Sequence, residues 1–488
     1  MVELTIFALG ILLIDLMIPR EWKWLNAVGA FAGVGFATLC VWQIQHTLPR
    51  GSIGFFNALL VDRFAIYFWY LFLASAAVTI LTSVRYLEIE HEHHGEYYAL
   101  LLLSLVGMMC MAAGIDIVLI FIGLELMAIS IYVLVGFLRR DRRSNEAALK
   151  YLLLGAFSSG IFAYGLSLLY GLSGSTNLSI IARAVSGMDP HNPLLVIALL
   201  TIVVGLLFKI AAIPFHQWAP DAYEGAPTTI TGFMSVAVKA AAWAMLLRIL
   251  IFGLLPLRSV YTPVMVFVAI ATMTGANLAA LTQTNTKRLL AYSSIAHVGY
   301  MLLAFVAMGT SQIGGIAFMD GFKGIMIYLM VYTFMNLGAF AVIASLRYRN
   351  VIGDELDDMA GLYSRAPVEA VLMLLFLLSL AGIPPAAGFL GKYYIFLSLV
   401  ESGHYWLASA AVLYALFGLY YYLRIANVML MRAPMETGRL PVSLAMRFAL
   451  GVTALMTIVI GVYPEPFIRG VNWSLGIAQS PHVAAMLR

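Results

Sequence analysis

The sequence predicts an all-α polytopic membrane protein of about fourteen transmembrane helices, built as inverted five-helix repeats with two discontinuous helices. Three observations predict it. Of the 488 residues, 62% are hydrophobic, and the mean hydropathy is +0.94. Only 11% are charged, against about 25% in an ordinary soluble domain. A soluble fold of this size has too little interior to hide so much apolar surface, so its solvent is largely lipid. Next, apolar stretches of about 20 residues, the length that crosses a bilayer, recur between polar or Gly/Pro breaks. Finally, prolines interrupt two of those stretches close to lysines.

In order, the stretches lie near 2–19, 25–46, 58–83, 97–113, 115–138, 148–171, 193–213, 228–253, 260–282, 288–309, 323–346, 367–400, 404–431 and 442–463. The first has no basic leader, carries Glu3 and Asp15, and is followed by no A-x-A site, so it reads as a retained span rather than a signal peptide. Only Ala113-Gly114-Ile115-Asp116 separates the fourth from the fifth. Segment 367–400 is too long for one straight span and contains Gly382-Ile383-Pro384-Pro385. It reads as a helix, a break and a half-helix.

Threading fourteen spans puts the basic loops on one side: Arg139, Arg140, Arg142 and Arg143; Lys287 and Arg288; Arg347, Arg349 and Arg365; Arg432 and Arg439. Loops 172–192 and 310–320, on the other side, are poor in charge. By the positive-inside rule the basic loops are cytoplasmic and both termini lie outside, on the periplasmic side of an inner membrane.

Several chemistries are excluded on this chain. The net charge of +4 is too small to suggest nucleic acid. Cys40 and Cys110 are the only cysteines and no CxxC occurs, so neither a disulfide framework nor a cysteine-ligated iron–sulfur cluster is readable. There is no GxGxxG after a strand and no P-loop. His91, His93 and His94 in "EIEHEHHGEYY" read as a solvated loop, because no second ligand cluster completes a cage.

The candidate functional residues are ionisable groups inside spans: Glu125 in the fifth, Lys150 opening the sixth, Lys209 in the seventh, Lys239 in the eighth, His297 in the tenth and Lys392 in the twelfth. An ammonium at bilayer depth costs about 2.5–3.5 kcal/mol on insertion scales, so it needs an offsetting partner or a use. Lys150 also fits an interfacial position, and Glu125 fits a partner for Lys209. Arg248 and Lys323, near span ends, read as snorkelling anchors.

The breaks add to this. Pro214 and Pro384-Pro385 remove backbone donors at membrane depth, which is tolerated only inside protein or beside water. "KIAAIPFHQW" (209–218) and "SLAGIPPAAG" (379–388) share an A-x-I-P core five spans apart. An odd shift inverts the second unit, so 97–256 and 257–432 read as inverted repeats. Residues 1–96 form a three-helix segment before them, and 433–488 a final helix and tail.

With these residues in view, the chain resembles subunit N of the proton-pumping NADH–quinone oxidoreductases (respiratory complex I), an antiporter-like family. The carriers are "LELMAISIYVLVGF", "EAALKYLLLGAFSSGIFAYGLSLLYG", "FHQWAPDAYEGAPT", "TNTKRLLAYSSIAHVGYMLL", "YTFMNLGAF" and "LAGIPPAAGFLGKYYIF", spread over nearly the whole chain. The resemblance implies a fourteen-helix core and proton translocation with no cofactor on this chain. NAD, FMN, iron–sulfur clusters and quinone belong on partner subunits. Other membrane subunits, including sister antiporter-like ones, are the expected neighbours, with the redox arm contacted only indirectly. Glu125, Lys209, Lys239 and Lys392 match the family's charged positions in motif context, and His297 matches its tenth-span histidine. Lysine after the second break is similar to this subunit, where one sister has glutamate. "SVAVKAAAW" departs from the family, which often has proline before that lysine. Two alternatives stay open on residues alone: a subunit of a multi-subunit sodium/proton antiporter, and a structural membrane subunit with no proton path.

Overall fold

A computed structural model describes residues 1–47, 51–347, 353–434 and 442–476; Arg349 and Arg439 lie outside the described residues. Twelve helices among them are long and apolar enough to cross a membrane. The first helix, Val2–Met17, and the broken pair Pro367–Ala381 and Ala387–Glu401 bring the spans to fourteen.

Most boundaries follow from local chemistry. Asp62 caps the third span, Arg63–Ile89, by accepting from the Ala65 N–H at 2.8 Å. This span starts later than the expected 58–83, because residues 59–61 pair with 52–54 in a two-stranded antiparallel hairpin. The eleventh span, Ile316–Ser345, begins seven residues before the expected 323. In the sequence Asp320 reads as the end of a loop and Lys323 as a snorkelling anchor at the span's start. On the helix they sit one turn apart and pair at 2.9 Å, which removes the objection to placing them there. Two amphipathic helices, Leu178–Ser186 and Glu465–Leu475, run outside the spans and were not anticipated.

Both predicted breaks are present. The seventh span runs Pro193–Ile210, ends at Ala211 in the left-handed region (φ 60°), and resumes as Trp218–Gly225. The twelfth ends its first half at Gly382 (φ 85°) and resumes at Ala387. A cis X–Pro bond follows each stop, at Ile213–Pro214 and Pro384–Pro385. The eighth span interleaves α-helix with π-helical turns at Met234–Val238 and Arg248–Gly253.

The eighth and eleventh spans are enclosed along their whole apolar length and the tenth almost so. The second, sixth, thirteenth and fourteenth present most of their length outward. Lys239 and His297 sit on these enclosed helices, where lipid does not reach them.

Ion pairs tie the loops of one face together. Arg347 binds Glu90, Lys287 lies 3.6 Å from Asp354, Arg288 pairs with Asp221 and Glu224, and Arg432 pairs with Asp357. The opposite face has one deeply buried pair, and it corrects a sequence expectation. Arg248 is no snorkelling anchor. It is 1% exposed, its guanidinium forks onto both Asp62 oxygens at 2.7 and 2.5 Å, and its Nε donates to the Ala112 carbonyl at 2.8 Å. The rings of Phe64 and Phe252 cover its faces. Position near a helix end did not distinguish the two cases, since the partner carboxylate is 186 residues away.

Candidate functional site

The broken seventh span positions Lys209 in the last turn of its first half, one residue from the carbonyl of Phe208. That carbonyl accepts the Ala211 N–H at 3.0 Å and, from the first turn of the second half, the Trp218 indole N–H at 2.9 Å. Trp218 thus bridges its own helix break. The ammonium is left to donate to the Tyr132 hydroxyl at 3.4 Å, with the Tyr132 and Phe208 rings each 5.8 Å away.

Glu125 lies two turns from Tyr132 on the same face of the fifth span, about 10 Å along the axis. It forms no ion pair with Lys209. Its Oε1 is buried without a hydrogen-bond partner in the chain. Tyr132, absent from the sequence reading, occupies the place beside the lysine.

Lys239 begins the α-helical turn that follows the first π segment of the eighth span. It donates to the Ser294 hydroxyl of the tenth span, and the Tyr223 ring lies 5.8 Å away. The hydroxyls of Tyr223 and Tyr332 and the Trp243 indole N–H are buried nearby in sequence or space, without protein partners.

His297, one turn on from Ser293 and Ser294, is clamped between two phenols. Its Nδ1 is hydrogen-bonded to the Tyr328 hydroxyl, and its Nε2 lies 3.0 Å from that of Tyr422. Tyr422 also bonds Ser293. Whichever ring nitrogen bears the proton donates and the other accepts, so the histidine joins the eleventh and thirteenth spans through one side chain.

Lys392 occupies the second half of the broken twelfth span, and its ammonium reaches back across the break. It donates to the carbonyls of Leu380 and Ala381 at 3.2 and 2.6 Å, with the Tyr300 ring 5.3 Å away. Gly388 lets the two halves meet this closely: its N–H donates to Ser379 Oγ at 3.0 Å, and a Cβ there would fall 1.7 Å from the Ser379 carbonyl oxygen.

Lys209, Lys239, His297 and Lys392 are therefore buried and strung through a shared set of tyrosines and serines. Their exposures are 2%, 2%, 3% and 6%, low enough to exclude snorkelling. Lys150 is not brought into this row. Its side chain is 46% exposed and pairs with Glu146 at 2.9 Å and Asp221 at 3.0 Å. The tyrosines and serines carried no warning in the sequence, since both residue types are ordinary in spans. Spacing offered one hint: Ser293, Ser294, His297 and Tyr300 fall on successive turns of one helix.

Residues 114–418 match the family profile described as "NADH:quinone oxidoreductase/Mrp antiporter, TM". NADH-quinone oxidoreductase subunit N 1 of Koribacter versatilis (strain Ellin345) is 62% identical, over 100% of this chain and 96% of that protein. A chain of the solved respiratory complex I from Thermus thermophilus with bound aureothin superposes with a TM-score of 0.80 at 30% identity, covering 96% of this chain and 98% of that one. A chain of the Mrp complex from Dietzia sp. DQ12-45-1b has a TM-score of 0.83 at 20% identity over 99% of both chains, a likeness of fold.

Proposed function

The chain belongs to the subunit N family of NADH–quinone oxidoreductase, an antiporter-like membrane subunit of a proton-translocating enzyme, and on that premise we propose that Lys209, Lys239, His297 and Lys392 carry its protons. One observation supports this most. None of these three lysines is held by a carboxylate: their donors go to a phenol, a serine and backbone carbonyls. Cations that only hold a membrane protein together are paired, because removing one partner strands a buried charge at a cost of about 3–5 kcal/mol. Arg248 with Asp62 and Lys287 with Asp354 follow that rule. An ammonium on neutral partners can lose its proton without stranding an anion.

In this reading protons enter from the cytoplasmic, basic-loop face towards Lys209, whose charge Glu125 biases from two turns away. They pass Lys239 and the Ser294, Ser293, Tyr422 and His297 chain, where water joins the unpartnered phenols, and reach Lys392 and the outer face. The repeats 97–256 and 257–432 each contribute one break. NAD, FMN, iron–sulfur clusters and quinone sit on partner subunits, and neighbouring membrane subunits transmit the driving force electrostatically. The inner membrane holds the chain with both termini outside.

Lys209→Met tests the reading in the assembled enzyme reconstituted into vesicles. Proton pumping per NADH oxidised should fall at least ~10-fold, a lower bound set well below the ~10²–10⁴-fold that positioned proton-transfer groups contribute. Wild-type stoichiometry would refute it.

A further inference from the structure

We propose that the charged cavity at the basic-loop end of the seventh span is the loading vestibule for Lys209, with Asp221 its proton-accepting group and the Trp218–Tyr151 stack its gate. The inference rests on Lys209 being a proton carrier. The cavity has a volume of about 150 Å³, room for several waters. Arg143, Glu146 and Lys150 of the sixth span, Asp221 and Glu224 of the seventh and Arg288 of the tenth line it.

Five of these groups form one unbroken chain of ion pairs. Glu146 holds Lys150 at 2.9 Å, Lys150 holds Asp221 at 3.0 Å, Asp221 holds Arg288 at 2.7 Å, and Arg288 holds Glu224 at 2.9 Å. Asp221 is the branch point, shared between two cations that each keep a second carboxylate. It can therefore take a proton and release both without leaving either unpaired. An ordinary surface pair offers no such exchange.

Between Asp221 and Lys209 along the broken seventh span, behind the residues that line the cavity, lies one aromatic layer. Trp218 lies one helical turn inward from Asp221, and Tyr151 is the residue after Lys150. Their rings stack with centroids 4.3 Å apart and planes 9° from parallel. Both are essentially buried. Immediately behind them stands the Lys209 station: Trp218 bonds the Phe208 carbonyl, and Tyr151 meets the Tyr132 ring edge-on at 4.6 Å. The layer that separates wet charge from the buried lysine is thus made of the side chains that hold that lysine's surroundings in place.

The step balances simply. A hydronium gives its proton to the Asp221 carboxylate and leaves as water. Arg288 stays with Glu224, and Lys150 with Glu146. When the stack parts, the proton passes to the neutral amine of Lys209, and Asp221 returns to its carboxylate form and its two cations.

The test uses the assembled oxidoreductase in proteoliposomes, with pumping followed by a pH dye from about pH 6 to 9, for Asp221→Asn, Asp221→Glu, Trp218→Ala and Lys209→Met. Asp221→Asn should lower pumping at least ~10-fold, and more steeply as the pH of the loading side rises, because scarce hydronium must then protonate Lys209 directly. Asp221→Glu should restore the wild-type pH profile. Trp218→Ala should leak protons several-fold faster in resting vesicles. A wild-type profile in Asp221→Asn, with Lys209→Met inactive, would overturn the vestibule and leave the role of Lys209 standing. If Lys209→Met pumps normally, the functional reading itself falls. Should Asp221→Asn not assemble, a resting leak in Trp218→Ala supports the gate, and tight vesicles overturn it.

Discussion

The two broken helices use one backbone device for different ends. In the seventh span the last-turn carbonyl of Phe208 accepts both the Ala211 N–H and the Trp218 indole, and the lysine is left with a long bond to a phenol. In the twelfth, the lysine itself satisfies the freed carbonyls of Leu380 and Ala381. Lys392 is therefore part of the break's structure as well as a charge at depth, whereas Lys209 is held loosely beside a break that does not need it. On the proposed proton path, the loose hold on Lys209 suits a station that gives up its proton readily, and the structural hold on Lys392 suits one whose release waits for a structural change.

Four substitutions sharpen or break this contrast. The largest effect is expected from Lys392→Met, which loses proton pumping at least ~10-fold and also strands two buried carbonyls. At about 1–3 kcal/mol for each unsatisfied group, hydrogen-exchange protection around residues 376–392 should drop markedly. Lys209→Met should leave protection around its own break within about 1 kcal/mol of wild type, since only one weak hydroxyl bond goes. Equal losses at the two breaks would end the comparison.

A middle effect is expected from Trp218→Phe. The ring stack on Tyr151 survives and Phe208 keeps its Ala211 N–H, but the indole donor that ties the two halves is gone, so protection at the seventh-span break should fall by about 0.5–1.5 kcal/mol. Unchanged exchange there would mean that the indole bond is dispensable and that the two breaks differ for another reason. Smallest is Tyr132→Phe, with about 0.5–1.5 kcal/mol lost and turnover lowered a few-fold as Lys209 loses its one hydrogen-bond acceptor. A loss as large as that of Lys209→Met would make Tyr132 itself a proton carrier.

The candidate site was partly legible in the sequence. Lys209, Lys239, His297 and Lys392 stood out because the cost of a charge at membrane depth depends on residue type and position along a span, both of which one chain displays. What each one touches did not stand out. Ser294, Tyr422 and Tyr328 lie on spans far apart in sequence from the groups they serve, and helix rotation about the long axis decides whether they meet. Glu125 and Lys209 looked like a pair because opposite charges on facing helices usually are; Tyr132 took the position instead. Asp221 and Glu224 were in plain view within "FHQWAPDAYEGAP", yet only the short helix Trp218–Gly225 turns them towards Arg288.

By itself the sequence determined the number of spans, the two breaks and the depth of the buried cations, because lipid imposes continuous apolar runs and proline removes donors wherever it stands. Only the tertiary structure decided which cations are held by a carboxylate and which by neutral partners alone. Arg248 and Lys209 are both basic residues in apolar helices, and Asp62 beside one and Tyr132 beside the other make the difference. That choice of neighbour is set by how helices pack across the bundle, which no local pattern encodes.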